Sequence, residues 1–175
     1  MTTSKVPIRS SGFSLIELMV AVAIVAIIAA IAIPTYQTQI RESRRVDAKT
    51  AVLDLAAREE KYLSLNNAYT GSPANLGYVA ASNTSATWPQ PTGSGYYQLY
   101  VCPLTATGGQ VLVTTCTATG NASGTAYVIA AVPLANTSQA KDSQCQYFAV
   151  DNTGTQFSSA TQSATGTSTV STCWH

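Results

Sequence analysis

The stretch Gly12-Phe13-Ser14-Leu15-Ile16-Glu17, with the apolar run that follows it to Ile33, decides how the rest of the chain is read. Between Phe13 and Ile33 only Glu17 is charged. As a helix rising about 1.5 Å per residue, the run spans roughly 30 Å, the hydrocarbon thickness of a bilayer. A polar leader containing Lys5 and Arg9 precedes it. The Gly12–Phe13 junction lies before the apolar run, whereas a secretory signal is cut after its apolar region. A cut after Gly12 would keep the helix on the mature protein and create an α-amine at Phe13. Glu17 calls for such a partner, because an unpaired carboxylate in a membrane helix is costly.

Outward from this run the charge is uneven. Eleven charged residues fall between Arg41 and Lys61, and beyond them only Lys141, Asp142 and Asp151 carry charge. Removing Lys5 and Arg9 with the leader takes the formal net charge from +1 to −1, before the new amine is counted. Residues 62–175 offer no basic face for phosphate, so DNA is not expected as a partner. Cys102, Cys116, Cys145 and Cys173 all follow the apolar run, and an even count in an exported domain reads as disulfides. Three pairings are open. Arg41, Arg44 and Arg45 outnumber Lys5 and Arg9, against the positive-inside rule. The cysteines nevertheless place the C-terminal part outside the cytoplasm.

Residues 13–65 contain no Gly and one Pro, so they read as one long helix, with a kink at Pro34 where a backbone donor is missing. Ala48, Val52, Leu55, Ala56, Tyr62 and Leu63 recur near helical spacing and predict a stripe packed on a sheet. Asp54 with Arg58 and Arg44 with Asp47 are candidate surface pairs. Residues 66–95 read as a long loop. Strands are expected at Tyr96–Val101, Gln110–Thr114, Thr125–Val132 and Gln144–Asp151, with a turn at Asp151–Gly154 and a return strand at Thr155–Phe157. The Ser/Thr-rich tail from Asn152 to Thr172 calls for a staple, which Cys173 supplies.

Enzyme chemistry finds no support. His175, the only histidine, is the last residue, so neither a Ser/His/Asp triad nor a zinc site is expected. Asp142 and Asp151 are the only acids after Glu60; turn capping is their expected role, ahead of a Ca²⁺ site. No cofactor is expected. Tyr96, Tyr97, Tyr100, Tyr127 and Tyr147 are read as packing pairs in strands.

Gly12 through Glu17 and the Ala/Ile/Val run resemble the class III signal of type IV pilins and of the pseudopilins of type II secretion. Pro34 fits that pattern, whereas Ala26 stands where many relatives carry Gly. The resemblance implies cleavage between Gly12 and Phe13 by a prepilin peptidase, N-methylation of Phe13, and a role for Glu17 in filament assembly. Arg44-Arg45, Asp47–Thr50, Leu53–Arg58, Asn66–Thr70, Asp142-x-x-Cys145, Asp151-x-x-Gly154 and Cys173-Trp174 look like the PilE-type minor pilins. The implied fold is α+β: a long N-terminal helix, its N-half transmembrane, packed on an antiparallel sheet with a disulfide-closed C-terminal loop. The implied divisions are a leader over 1–12, a membrane and filament-core helix over 13–40, an amphipathic helix over 41–65, and loop, sheet and disulfide loop over 66–175. The expected pairing is the sequential one, Cys102–Cys116 and Cys145–Cys173, and the second of these is the loop that the likeness implies. The implied function is a structural subunit, a minor pilin of a type IV pilus serving biogenesis, twitching motility, adhesion or DNA uptake. Its partners would be other pilin subunits, the peptidase, the pilus assembly platform and the bacterial inner membrane, with a periplasmic C-terminal domain before export into the pilus. A type II secretion pseudopilin and a DNA-binding competence pilin are the alternatives.

Overall fold

A 52-residue helix, α1 (Leu15–Asn66), begins the described structure. The computed structural model describes residues 13–78, 86–102, 124–162 and 170–174. After α1 come β1 (Gln90–Pro91), β2 (Tyr97–Cys102), β3 (Val128–Pro133), a 3-10 turn (Ser138–Lys141), β4 (Tyr147–Asp151), β5 (Gln156–Ser159) and the short α2 (Val170–Cys173). The chain divides into two units, residues 1–39 and 40–175.

In the first unit the side chains of Phe13 to Ile33 stand open, from Val20 at 52% to Phe13 at 80% exposure among the large apolar residues. Pro34 lies within α1 and withholds one backbone donor. The Thr35 and Thr38 hydroxyls donate to the carbonyls of Ile31 and Pro34, four residues back, contacts that tend to bend a helix.

The second unit is built on a five-stranded antiparallel sheet in the order β1-β2-β3-β4-β5. Leu99, Ala131 and Phe148 sit in register across its three central strands, as do Val101, Ile129 and Val150. These residues join Ala48, Val52 and Leu55 of α1 in one buried cluster. Alternation along the strands sends Val128, Ala130, Val132, Tyr147 and Ala149 to the opposite face, where they are also buried. Strand starts depart from the sequence reading for identifiable reasons. β3 begins at Val128 rather than Thr125; ahead of it the Gly124 carbonyl is taken by the Tyr69 N–H of the loop after α1. β4 begins at Tyr147 rather than Gln144, because the N–H groups of Gln144 and Cys145 are committed to the Asp142 carboxylate. β1 lies inside what reads as loop; Pro91 is admissible because β1 is an edge strand. The expected strand Gln110–Thr114 lies outside the described residues.

Two turns carry clear local causes. α1 ends where Asn67 adopts φ 54°, with its N–H on the Leu63 carbonyl at 2.8 Å, a left-handed C-terminal cap that Asn tolerates. Between β4 and β5, Asp151 Oδ1 accepts the N–H groups of Thr153 and Thr155, both at 2.9 Å, and Gly154 supplies φ 80°. Turn capping is thus what Asp151 does here.

The helix and the C-terminal part are fastened by one buried ion pair. Arg45 Nε and Nη2 donate to Asp142 Oδ2 and Oδ1 at 2.7 and 2.9 Å, with the Asp142 side chain 2% exposed. Burial alone would push this carboxyl up. The Arg45 guanidinium and the N–H groups of Gln144 and Cys145 outweigh it and hold Asp142 below the usual carboxylate range. Its contribution to stability is therefore present at neutral pH and lost as pH falls. Cys145 itself pairs with Cys173, closing a loop of sequence separation 28, worth about 3.5 kcal/mol on the chain-entropy account. The Asp54–Arg58 pair, at 2.8 Å, is a half-exposed helix-surface contact. Arg44 does not reach Asp47: it lies over the Tyr96 ring and donates to Ser138, while Asp47 accepts from Ser94. These contrasts set an expectation for denaturation of the full chain in detergent. Asp142→Ala should cost about 3–5 kcal/mol, because it strands a buried guanidinium. Asp54→Ala should cost at most about 0.5 kcal/mol.

Candidate functional site

The residues singled out for processing and assembly lie at the start of α1. Phe13 is highly exposed and precedes the helix. The Leu18 N–H donates to the Ser14 carbonyl at 3.2 Å, closing the first turn. Glu17 is the acidic residue of that turn and is exposed. A carboxylate there complements the free N–H groups and positive dipole of a helix N-terminus. Gly12 lies outside the described residues. α1 is long and apolar enough to cross a membrane, by length and composition. Chemically this end offers an apolar rod with one carboxylate near its tip, suited to lipid or to other helices.

Of the four candidate cysteines, Cys145 and Cys173 are joined. Cys102 is buried at the end of β2 and is disulfide-bonded. Cys116 lies outside the described residues, and so does the expected Cys102–Cys116 pairing.

The second unit holds a polar seam where α1 meets the loop after it. Glu59 is fully buried. Its Oε2 accepts the Thr70 N–H at 2.9 Å, and its Oε1 has no hydrogen-bond partner. Burial pushes its carboxyl up to about 7; the Thr70 N–H offsets part of this and the neighbouring Glu60 adds to it. Glu60 Oε1 accepts the hydroxyls of Tyr69 and Tyr127 at 2.9 and 3.2 Å. The two tyrosine rings meet edge to face, 4.7 Å between centroids. Burial, with the Glu60 charge, raises both phenols above their ordinary value.

Alongside runs a groove of about 430 Å³, lined by Asp54, Arg58, Lys61, Tyr62 and Asn75 among others. Its Arg58 guanidinium is already engaged by Asp54 and by the Leu76 carbonyl. Sequence reading assigned neither Glu59 nor Arg45 to the apolar stripe, yet both are buried. The signal was in the spacing: Arg45 and Glu59 extend the buried series Ala48, Val52, Leu55 by three residues at one end and four at the other.

Comparison with known proteins bears on both units. Residues 8–33 match the prokaryotic N-terminal methylation motif. The chain is 36% identical over 79 residues to the type IV major pilin protein PilA of Myxococcus xanthus, covering 45% of this chain and 36% of that protein. It is 44% identical over 81 residues to the type IV major alpha-pilin of Moraxella bovis, covering 42% of this chain and 50% of that one. The chain thus spans about half the length, or less, of these curated relatives. A type IV pilin structure from Shewanella oneidensis superposes with a TM-score of 0.39 at 20% identity, over 66% of this chain and 89% of that one. Residues 34–149, well over half of the chain, match the family model described as type IV minor pilin ComP, DNA uptake sequence receptor; the chain belongs to this family of type IV minor pilins.

Proposed function

We propose that the protein is a structural subunit of a type IV pilus, held in the bacterial inner membrane by α1 and then drawn into a filament. The observation that carries this reading is the uncovered apolar surface of Phe13 to Ile33 joined to the methylation motif. In this reading a prepilin peptidase cuts between Gly12 and Phe13 and the new amine is methylated. Other pilin subunits and the assembly platform are its partners. Pro34 is the kink within α1. The disulfide Cys145–Cys173 supports a periplasmic location for the second unit. Two of the three arginines that conflicted with the positive-inside rule have structural work: Arg45 pairs with Asp142, and Arg44 lies on Tyr96. Mass spectrometry of protein from sheared pili tests the processing. The expected mature chain starts at N-methyl-Phe13; a start at Met1, or beyond Ile33, would contradict it.

The family description favours a second reading, DNA reception. Here Lys141 is the only Lys or Arg after Lys61, so residues 62–175 can supply few phosphate contacts. If those residues alone met duplex DNA, binding should weaken with salt at a log–log slope of only about −1. A much steeper slope would mean that the cations of α1 between Arg41 and Lys61 carry the contact.

Glu17 is the assembly residue in the first reading. Valine in its place inserts into lipid at least as well, since acidic residues oppose insertion. The carboxylate gains its value only after insertion, by pairing with a Phe13 amine in a dry bundle of helices. Leaving that amine unpaired costs about 3–5 kcal/mol. Glu17→Val should therefore retain membrane insertion and cleavage while its amount in sheared pili falls about tenfold or more. Normal incorporation would remove Glu17 from the assembly role.

A further inference from the structure

The stripe of α1 that faces the sheet runs Arg45, Ala48, Val52, Leu55, Glu59, charged at both ends. At one end Arg45 has Asp142. At the other, Glu59 has a single donor, the Thr70 N–H, and an oxygen with no partner. Among the described residues no cation acts on it; the Arg58 guanidinium, next in sequence, is held by Asp54 and the Leu76 carbonyl. Its neighbour on the helix is Glu60, of the same sign. The loop after α1 contributes Tyr69 and the approach to β3 contributes Tyr127, and both give their hydroxyls to Glu60. Beyond Lys61 the chain has one Lys or Arg, Lys141, which is exposed and next to Asp142. An ionised Glu59 would be a buried charge with one hydrogen bond, whereas a neutral one needs no counter-ion.

Thr70 is the keystone of the segment that Glu59 holds. It is buried, and its hydroxyl accepts the Ser72 N–H at 3.2 Å and the Asn75 side-chain amide at 3.1 Å. On either side, the Tyr69 N–H reaches the Gly124 carbonyl at 2.9 Å and the Gly71 carbonyl accepts the Trp88 indole N–H at 2.8 Å. The Thr70 N–H is where this segment is tied to the buried end of the stripe.

We propose that Glu59 is a proton-operated latch: neutral, it fastens residues 67–78 against α1; ionised, it lets them open. Because the closed form raises the carboxyl's pKa to about 7 from an ordinary 4.5, the latch is fully effective below that ordinary value. It weakens as pH rises from 4.5 to 7, the opening constant growing by up to about tenfold per pH unit, and loses nothing further above.

The test uses the full chain in detergent with ¹³C-labelled glutamate, of which there are only Glu17, Glu42, Glu59 and Glu60. Carbon NMR follows each carboxyl through its titration. Amide exchange of residues 69–76, corrected for intrinsic rates, reports opening. Glu59 is expected to titrate near 7, with opening about tenfold or more greater at pH 7 than at pH 5 and level above. Glu59→Gln should flatten that profile and keep the segment closed at pH 8, and Glu60→Gln should move the Glu59 midpoint down. Glu59 titrating near its ordinary 4.5, or an unchanged opening profile in Glu59→Gln, would overturn the proposal. If Glu59→Gln does not fold, the wild-type titration and the Glu60→Gln shift decide it.

Discussion

Water is a poor solvent for the first half of α1. Its large apolar side chains from Phe13 to Ile33 are each more than half exposed. Full burial of one such side chain is worth about 1.5–3 kcal/mol, so the uncovered run represents tens of kcal/mol of unrealised burial. A bilayer or a bundle of like helices supplies that burial. A subunit that passes from lipid to filament exchanges one apolar surround for another, and the exchange is nearly neutral for the apolar surface. That neutrality gives a single carboxylate and a single amine leverage over where the helix resides. In the proposed function, Glu17 and the Phe13 amine are the pair that exerts it.

The same helix then changes character. From Arg45 onward it presents a narrow core stripe to the sheet, while its other faces carry most of the charged side chains together with exposed Val46, Leu53 and Leu65. Ala48, Val52 and Leu55 are the middle of that stripe, and the sheet residues Leu99, Ala131 and Phe148 complete the packing. The ends are polar, and there the fold is specified rather than merely filled. Asp142 joins α1 to the backbone of Gln144 and Cys145, and so sets the position from which Cys145 meets Cys173. Trp174 then donates to the Phe157 carbonyl, tying the end of the described chain to the edge strand β5.

Much of this was legible in the residues. The apolar run, the long helix, its stripe and the β4–β5 turn follow from periodicity and turn chemistry that local sequence controls. So does the Cys145–Cys173 staple, once the family likeness is admitted. The polar interior was harder. Nothing local to Arg45 says that Asp142, 97 residues away, will meet it, and a helix segment dense in charge reads as solvated throughout. Glu59 likewise lies on the helical spacing of the stripe, but as a charged residue it was not counted with Ala48, Val52 and Leu55. Strand starts were missed where Asp142 or the loop at Tyr69 captured backbone donors and acceptors that a ladder would otherwise use.

The central claim is that α1 has two apolar environments in turn. It is tested most directly by photocrosslinking from a diazirine side chain placed at Ile24 or Ile28, in cells with and without a working pilus assembly apparatus. The account predicts lipid adducts when assembly is blocked, and adducts to the N-terminal helix of other pilin chains in sheared filaments. Crosslinks confined to the protein's own globular unit, or to lipid alone in both states, would contradict it.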